Sequence, residues 1–125
     1  MKAYVDSSCV VAILLSEAKS TEIARQLSAH EIFVSSNLLE AEVRSVIARE
    51  RIAADPVDLL AGFSWIQPDR ALTSEFVEVL NAGYLRGADL WHLAVALYVD
   101  PRREITFLTL DDRQKAIARA LKFPT

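Results

Sequence analysis

Residues 105–112 have the sequence ITFLTLDD, in which an apolar run broken only by threonines is followed at once by two acids. The run at 105–110 predicts a strand that is covered on both faces, as in a parallel sheet. The sequence KAYVD at 2–6 predicts a second strand, and it also closes with an aspartate. Longer stretches with helical spacing separate the two, so we expect an α/β fold in which helices cover a parallel sheet.

The rest of the chain continues this alternation. Two further strands are predicted at 32–36 and, with a weaker pattern, at 63–66. The spacing of apolar residues predicts helices at 20–29, 37–51, 73–82, 88–99 and 111–121. Pro56 suits the first position of a short helix, because its fixed φ is already helical. The pattern leaves open whether the residues after the last helix add a short edge strand.

The composition narrows the class of protein. A chain of 125 residues, 52% of them apolar, can build a core and suits one domain, 1–125. One cysteine cannot form an internal disulfide, and no Cys/His cluster has zinc spacing, so we expect a reducing, cytoplasmic location. The apolar run at 9–15 is too short to span a membrane, and no signal peptide is recognisable. The net charge of −3 argues against a strongly basic nucleic-acid-binding module, unless several acids hold metal ions.

Two of the acids follow predicted strands directly. Asp6 comes after the first strand, and Asp111 comes after the last. In open α/β sheets, ligands bind beyond the carboxyl ends of the strands. These two carboxylates are therefore expected at the edge of a binding site.

Two other acids lie on helix faces that should belong to the core. Glu42 is four residues from both Leu38 and Val46, inside the apolar stripe of its helix. Asp89 lies in a predicted helix that is apolar almost all the way round. Burying an ionised carboxylate without a partner costs several kcal/mol. A positively charged group is therefore expected to meet these two acids.

The strand-end acids also have ordinary structural explanations. Asp6 could accept hydrogen bonds from the backbone amides that follow it. Asp111 could cap the last helix, with Gln114 at the third position of that helix. Neither explanation needs a ligand.

The helix acids have structural alternatives as well. Glu42 could form a salt bridge with Arg44 or Arg86, and Asp89 could cap the helix that begins near Gly87. The four structural explanations are unrelated to one another. One acidic metal site would account for all four acids, and for that reason we prefer the site.

Oxygen ligands favour hard divalent cations, so the expected ion is Mg²⁺ or Mn²⁺ rather than zinc. Such an ion can align a phosphodiester, activate water and stabilise the leaving oxygen. His92 lies one turn beyond Asp89, but a lone histidine on an apolar helix is more often a hydrogen-bonded core residue. Cys9 has no plausible histidine partner, which argues against a thiol nucleophile.

Four segments of the chain together resemble the PIN-domain nucleases, and among them the VapC-type toxins of prokaryotic toxin–antitoxin pairs. They are YVDSS at 4–8, AEV at 41–43, LRGADLWHLA at 85–94 and LTLDDR at 108–113. The resemblance implies a three-layer α/β/α sandwich with a central parallel sheet of about five strands. It also implies metal-dependent cleavage of RNA.

The same resemblance implies the residues of the site. The catalytic and metal-binding carboxylates would be Asp6, Glu42, Asp89 and Asp111. Ser8 matches the family's hydroxyl after the first aspartate, and Thr109 matches a residue near the last acid. Arg86 matches a basic position that orients carboxylates or contacts phosphate. Asp112 is either an extra ligand or an exposed acid in the first turn of a helix.

The implied partners are an RNA substrate, a cognate antitoxin protein and a second copy of the chain. Three other functions stay open at this point. One is a housekeeping RNA-processing nuclease of the same fold, and another is a PIN-like binding module without catalysis. The third is a phosphoacceptor signalling domain, which requires paired acids after the first strand. Here the paired acids, Asp111 and Asp112, follow the late strand instead.

Overall fold

The computed structural model describes residues 2–17 and 19–125. Four parallel strands form one sheet in the order β3-β2-β1-β4, with β1 and β2 in the interior. The strands are β1 (Lys2–Val5), β2 (Ile32–Ser36), β3 (Phe63–Ile66) and β4 (Thr106–Leu108). The helices are α1 (Ser7–Leu14), α2 (Ser20–Ser28), α3 (Leu38–Glu50), α4 (Val57–Leu60), α5 (Thr73–Ala82), α6 (Gly87–Val99) and α7 (Asp112–Ala120). The predicted α/β fold with a parallel sheet is confirmed.

Helices cover both faces of the sheet. Tyr4 of β1 and Phe107 of β4 are fully buried in a core that they share with α5, α6 and α7. The next residues along the same strands, Val5 and Leu108, belong to a second core shared with α1, α2, α3 and α4. Successive side chains of a strand point to opposite faces, so these two cores are the two sides of one sheet. This arrangement is the three-layer sandwich.

In the part of the chain that the structure describes, the sheet has four strands, compared with the expected number of about five. The residues after α7 lie beside β4, but a single backbone hydrogen bond joins them to it, from Phe107 N to Pro124 O (2.8 Å). Pro124 has no N–H to donate, which limits the ladder at this position. The predicted strand at 105–110 is also shorter, Thr106–Leu108, because Leu110 N donates to Ser8 Oγ rather than to a neighbouring strand.

The helices begin and end close to their predicted bounds, and Pro56 directly precedes α4. The apolar pattern predicts no bounds for α1, which holds most of the apolar run at 9–15, and none for the end of α4. Asp6 caps α1 by accepting a hydrogen bond from Ser8 N (3.2 Å). No helix in residues 2–17 and 19–125 is long and apolar enough to cross a membrane.

The order of the strands locates a crevice. From β1 the chain continues to β2 and β3 on one side, and it then returns to β4 on the other side of β1. Connections that leave neighbouring strands in opposite directions open a cleft at the carboxyl ends of those strands. Here that cleft lies beyond Val5 and Leu108, next to Asp6 and Thr109.

Candidate active site

Asp6 is buried directly after β1, with 2% of its surface exposed. Its Oδ2 accepts hydrogen bonds from Ser8 Oγ (2.7 Å), Ser8 N (3.2 Å) and Thr109 Oγ1 (3.1 Å). Its Oδ1 is also buried, and no described group forms a hydrogen bond with it. A buried carboxylate oxygen without a partner is costly and uncommon. Nε2 of His92 lies 3.9 Å from Oδ1, too far for a hydrogen bond, so this oxygen keeps its capacity to bind a positively charged ligand.

Hydroxyl groups fasten Asp6 to the end of β4. Ser8 Oγ donates to Asp6 and accepts a hydrogen bond from Leu110 N (2.9 Å). Thr109 is buried, and its Oγ1 accepts from Asp111 N (3.1 Å). The one proton of that hydroxyl faces two acceptors, Asp6 Oδ2 at 3.1 Å and Gln114 Oε1 at 2.7 Å. These bonds hold the ends of β1 and β4 together on the two sides of the cleft.

Asp111 lies between β4 and α7, and Asp89 lies in the first turn of α6. Asp111 caps α7, and its Oδ1 accepts a hydrogen bond from Gln114 N (2.8 Å). Gln114 is fully buried, and its Nε2 donates to the backbone oxygen of Asp89 (3.2 Å). Asp89 and Asp111 line a cavity of about 360 Å³ together with Tyr84, Leu85, Arg86 and Arg113. Its volume falls in the range of ligand pockets.

The carboxylates are close enough to act on one another. The pKa of Asp89 is raised from its ordinary value of 3.8 to about 6, first by burial and then by the negative charges of Asp6, Asp111 and Glu42. His92 acts in the opposite direction on the same pKa. Like charges disfavour ionisation of a neighbouring acid, so the raised pKa reflects the negative charge that the other three predicted acids place near Asp89.

Glu42 is held by a buried histidine. Its Oε1 lies 2.6 Å from Nε2 of His92, whose side chain is fully buried. Nδ1 of His92 lies 2.8 Å from the hydroxyl of Tyr4, and that hydroxyl accepts a hydrogen bond from Ser36 N (3.2 Å). Burial raises the pKa of Tyr4, which keeps the phenol protonated. The phenol proton therefore points at Nδ1, and Nε2 carries the proton donated to Glu42.

This pairing decides between the earlier alternatives for Glu42. The salt bridge with Arg44 or Arg86 is wrong, since Arg44 pairs with Glu40 (2.7 Å) and Glu42 with His92. The interpretation of His92 as a hydrogen-bonded core residue is confirmed.

The alternatives for the three aspartates have different outcomes. Asp6 and Asp111 both accept backbone hydrogen bonds as helix caps, as their structural explanations predicted. That role leaves the buried Oδ1 of Asp6 unexplained. The capping role for Asp89 is wrong: Arg86 occupies the position before α6, and no side chain caps that helix.

The two charged supporting residues differ in position. Arg86 is exposed and lines the cavity, and it forms no ion pair within the described residues. Asp112 is exposed in the first turn of α7 and is not part of the cavity lining. The structure brings Arg86 to the cavity and leaves Asp112 outside it.

Sequence reasoning did not identify the partner of Glu42 or the role of Gln114. Gln114 precedes Ile117, Ala118 and Leu121 at the spacing of a buried helix face, which could have marked its amide as an internal hydrogen-bonding group. The contact between Glu42 and His92 joins α3 to α6, fifty residues apart, and no local pattern contains it.

The donor set suits a hard divalent cation. The cleft gathers carboxylate and hydroxyl oxygens, and Asp6 contributes a buried oxygen without a partner. Within residues 2–17 and 19–125, no three His, Cys, Asp or Glu side chains are arranged to hold one ion. The chemistry of these residues therefore fits a metal, while their side chains would have to move to surround it.

Comparisons with known proteins agree with this architecture. The PIN domain family matches residues 3–120. The chain is 29% identical to Ribonuclease VapC47 from Mycobacterium tuberculosis, over 98% of this chain and 93% of that protein. No solved structure gives a significant match. Because the family match covers nearly the whole chain, this protein belongs to the PIN domain family.

Proposed function

We propose that this chain is a metal-dependent endoribonuclease that acts as the toxin of a toxin–antitoxin pair. The observation that carries the proposal is the acidic cleft beyond β1 and β4, where the buried Oδ1 of Asp6 has no hydrogen-bond partner among the described residues. Membership of the PIN domain family and the similarity to Ribonuclease VapC47 support RNA as the substrate. We further propose that residues 1–125 act as one nuclease domain in the cytoplasm.

In this proposal Asp6, Asp89 and Asp111 hold Mg²⁺ or Mn²⁺, and Glu42 supports them. A bound ion would supply Lewis-acid chemistry, lowering the pKa of a water molecule and stabilising charge on the phosphate. The binding of a cation would also relieve the repulsion that raises the pKa of Asp89.

The chain's own residues prepare this site. Ser8 and Thr109 fix the orientation of the Asp6 carboxylate by donating to Oδ2, which leaves Oδ1 without a hydrogen bond from the described residues. His92 fixes Glu42 in the same way through Nε2. Hydrogen bonds of this kind, around groups that act directly, reduce the reorganisation that the reaction requires.

Charge determines how RNA can approach the cleft. The carboxylates repel a phosphodiester, so a cation must offset them before the substrate binds. Arg86 lines the cavity without an ion pair in the described part of the chain, and we assign it to a phosphate oxygen. Asp112, exposed on the neighbouring turn, lies outside the cavity and would act at most as a neighbour of the site.

The test is cleavage of total cellular RNA by the purified protein with Mg²⁺, with Mn²⁺ and with EDTA. We expect discrete fragments with either cation and none with EDTA. Asp6→Asn should remove the fragments, because the amide cannot supply the negative charge. The rate should fall by at least about 100-fold, which is the lower range for a group that takes part in the chemistry.

Asp58→Asn is the matched control. Asp58 is an exposed aspartate in the first turn of α4, outside the cleft. We expect it to cleave like the wild type. Fragments that persist in Asp6→Asn would contradict the assignment of Asp6, and equal loss in both variants would contradict a site at this cleft.

The toxin role is separated from a housekeeping role by genetics. A toxin should arrest growth when it is expressed alone, and the product of an adjacent reading frame should restore growth by binding the protein. An RNA-processing enzyme would be tolerated without a partner. We propose the antitoxin and a second copy of this chain as binding partners on the similarity to Ribonuclease VapC47.

A further inference from the structure

Tyr84 is an unusually exposed aromatic residue at the edge of the acidic cavity. Its side chain is 64% exposed, although phenol rings are mostly buried in folded proteins. It lines the same cavity as Asp89 and Asp111. A large aromatic surface next to a group of carboxylates has no role in the core and none in holding a cation.

The backbone that carries Tyr84 is fixed in place. A Cβ on the preceding residue, Gly83, would lie 2.9 Å from side-chain atoms of Ile117, so glycine allows this segment to approach α7 closely. The backbone oxygen of Tyr84 then accepts a hydrogen bond from Nε of Arg113 (2.8 Å). The main chain is therefore docked on α7, while the ring remains open to solvent.

Two arginine side chains line the same cavity as the Tyr84 ring. The guanidinium of Arg113 lies 5.5 Å from the centre of the Tyr84 ring, within the range of a cation–π contact. Arg86 lines the same cavity. Neither arginine forms an ion pair within residues 2–17 and 19–125, whereas Arg44 and Arg70 are each held by a glutamate. Positive charge is thus available at the rim of an acidic cavity.

We propose that Tyr84 and Arg113 form a binding site for one unpaired nucleotide of the RNA, beside the carboxylates. The ring stacks on a base, and the guanidinium binds a phosphate next to it. This inference rests on the proposed function, and it adds which residues hold a nucleotide beside the carboxylates. A base inside a duplex already stacks on its neighbours and cannot lie on the ring, whereas a splayed base can.

A protein partner is the competing occupant. Val77 and Leu80 are exposed on α5 at the spacing that continues towards Tyr84, and a partner helix could cover all three. That occupant would use the apolar stripe and would have no need of Arg113. The two guanidinium groups, which form no ion pair in the described part of the chain, and the adjacent carboxylates favour RNA.

The test measures binding by fluorescence anisotropy with a short unstructured RNA labelled with fluorescein, in Ca²⁺ and in EDTA. We expect Tyr84→Leu to weaken binding about 10-fold, the loss typical of one base stack, and Tyr84→Phe to bind like the wild type. The same RNA closed into a hairpin should bind weakly to all three proteins. Equal affinities of Tyr84→Leu and the wild type would overturn the proposal, and so would equal loss in Tyr84→Phe and Tyr84→Leu.

The phosphate contact has its own readout. Arg113→Gln should reduce the slope of log K against log salt concentration by about 0.7, the value for one phosphate of a single strand. Val77→Ser is the matched control on α5, and it should leave RNA binding unchanged. Loss of RNA binding in Val77→Ser, accompanied by a change in the mass of the protein in solution, would overturn the proposal in favour of a protein partner.

The binding assay also separates this inference from the proposed function. If the wild type cleaves no RNA but Tyr84→Leu still loses affinity for the probe, the proposed function fails and the nucleotide site stands. If Tyr84→Leu cleaves the same RNA with unchanged KM, unchanged kcat and unchanged cut positions, the nucleotide site fails and the nuclease stands. Equal melting temperatures of the variants would show that each one folds.

Discussion

The two ends of the sheet carry cavities of similar size but opposite chemistry. At the amino ends of the strands, Lys2, Asp100 and Glu104 line a cavity of about 390 Å³ with apolar residues. At the carboxyl ends, Asp89 and Asp111 line one of about 360 Å³. Size alone would favour the cavity at the amino end as the binding site. The hydrogen bonds of the acids favour the cavity at the carboxyl end instead.

At the amino end the acid is satisfied by the protein itself. Oδ2 of Asp100 accepts hydrogen bonds from Glu104 N (2.7 Å) and Ile105 N (2.6 Å), and it thereby closes the loop that leads into β4. At the carboxyl end, Oδ1 of Asp6 has no hydrogen-bond partner in the described chain, and the pKa of Asp89 is raised to about 6. One end of the sheet uses its acid for stability, whereas the other retains the perturbed carboxylates that are typical of functional sites.

The largest effect on this comparison is expected from the partner of Glu42. This acid lies at the carboxyl end, and His92 forms a hydrogen bond with it. His92→Phe would leave the buried Tyr4 hydroxyl without its acceptor and Glu42 without its donor. We expect the free energy of unfolding to fall by about 3 kcal/mol, as for the loss of a buried hydrogen-bonded pair that includes a charge. Urea denaturation measures this change.

Glu42→Gln provides the control, because its amide oxygen can still accept from His92, and it should lose far less stability. A loss below about 1 kcal/mol in His92→Phe would show that the chain of hydrogen bonds from Tyr4 to Glu42 does not support the fold.

Neutralising Asp89 should raise the free energy of unfolding, whereas His92→Phe should lower it. Because its pKa is raised from 3.8 to about 6, the folded protein binds more protons than the unfolded chain between these pH values. The metal-free protein therefore loses stability as the pH rises through this window. Asp89→Asn, which stays neutral, should be more stable than the wild type at pH 7 by on the order of 2 kcal/mol.

The measurement is thermal unfolding in EDTA from pH 3.5 to pH 7. The difference between Asp89→Asn and the wild type should grow between about pH 4 and pH 6 and then level off. A difference that is constant with pH would mean that ionisation of Asp89 is not its cause.

The smallest effect is expected at the amino end. Asp100→Ala removes the acceptor of two backbone N–H groups, and we expect a loss of about 1–2 kcal/mol in the free energy of unfolding. RNA cleavage should be unchanged below the melting temperature. Glu104→Ala is the control, since that side chain is exposed. Lost cleavage with full stability in Asp100→Ala would reverse the assignment of the two ends.

Local pattern was sufficient to predict most of the fold. The period of the apolar residues and the position of Pro56 predict the order of strands and helices, because these signals involve neighbours in sequence. The length of β4 was overestimated, since Thr109 and Leu110 continue the apolar pattern but turn into the cleft. The pattern of apolar residues does not show where the chain leaves the sheet.

The sequence likewise predicts only part of the candidate site. The positions of Asp6 and Asp111 beyond strand ends followed from the sequence, because a strand and the acid after it are contiguous. The buried link from Glu42 through His92 to Tyr4 did not, because three separate elements must pack before it exists. Whether the four acids hold a metal ion stays a prediction.

The hydrogen bond between Thr109 and Asp6 joins residues that are 103 positions apart. A ribosome adds about 5–20 residues each second, so on the order of 5–20 s pass between the synthesis of these two residues. During that time β1 exists without β4, and the first carboxylate lacks the wall that completes its cleft. For a chain proposed to cleave RNA, this delay keeps each nascent copy inert beside the messenger and ribosome that produce it, until the last strand has emerged and joined the sheet.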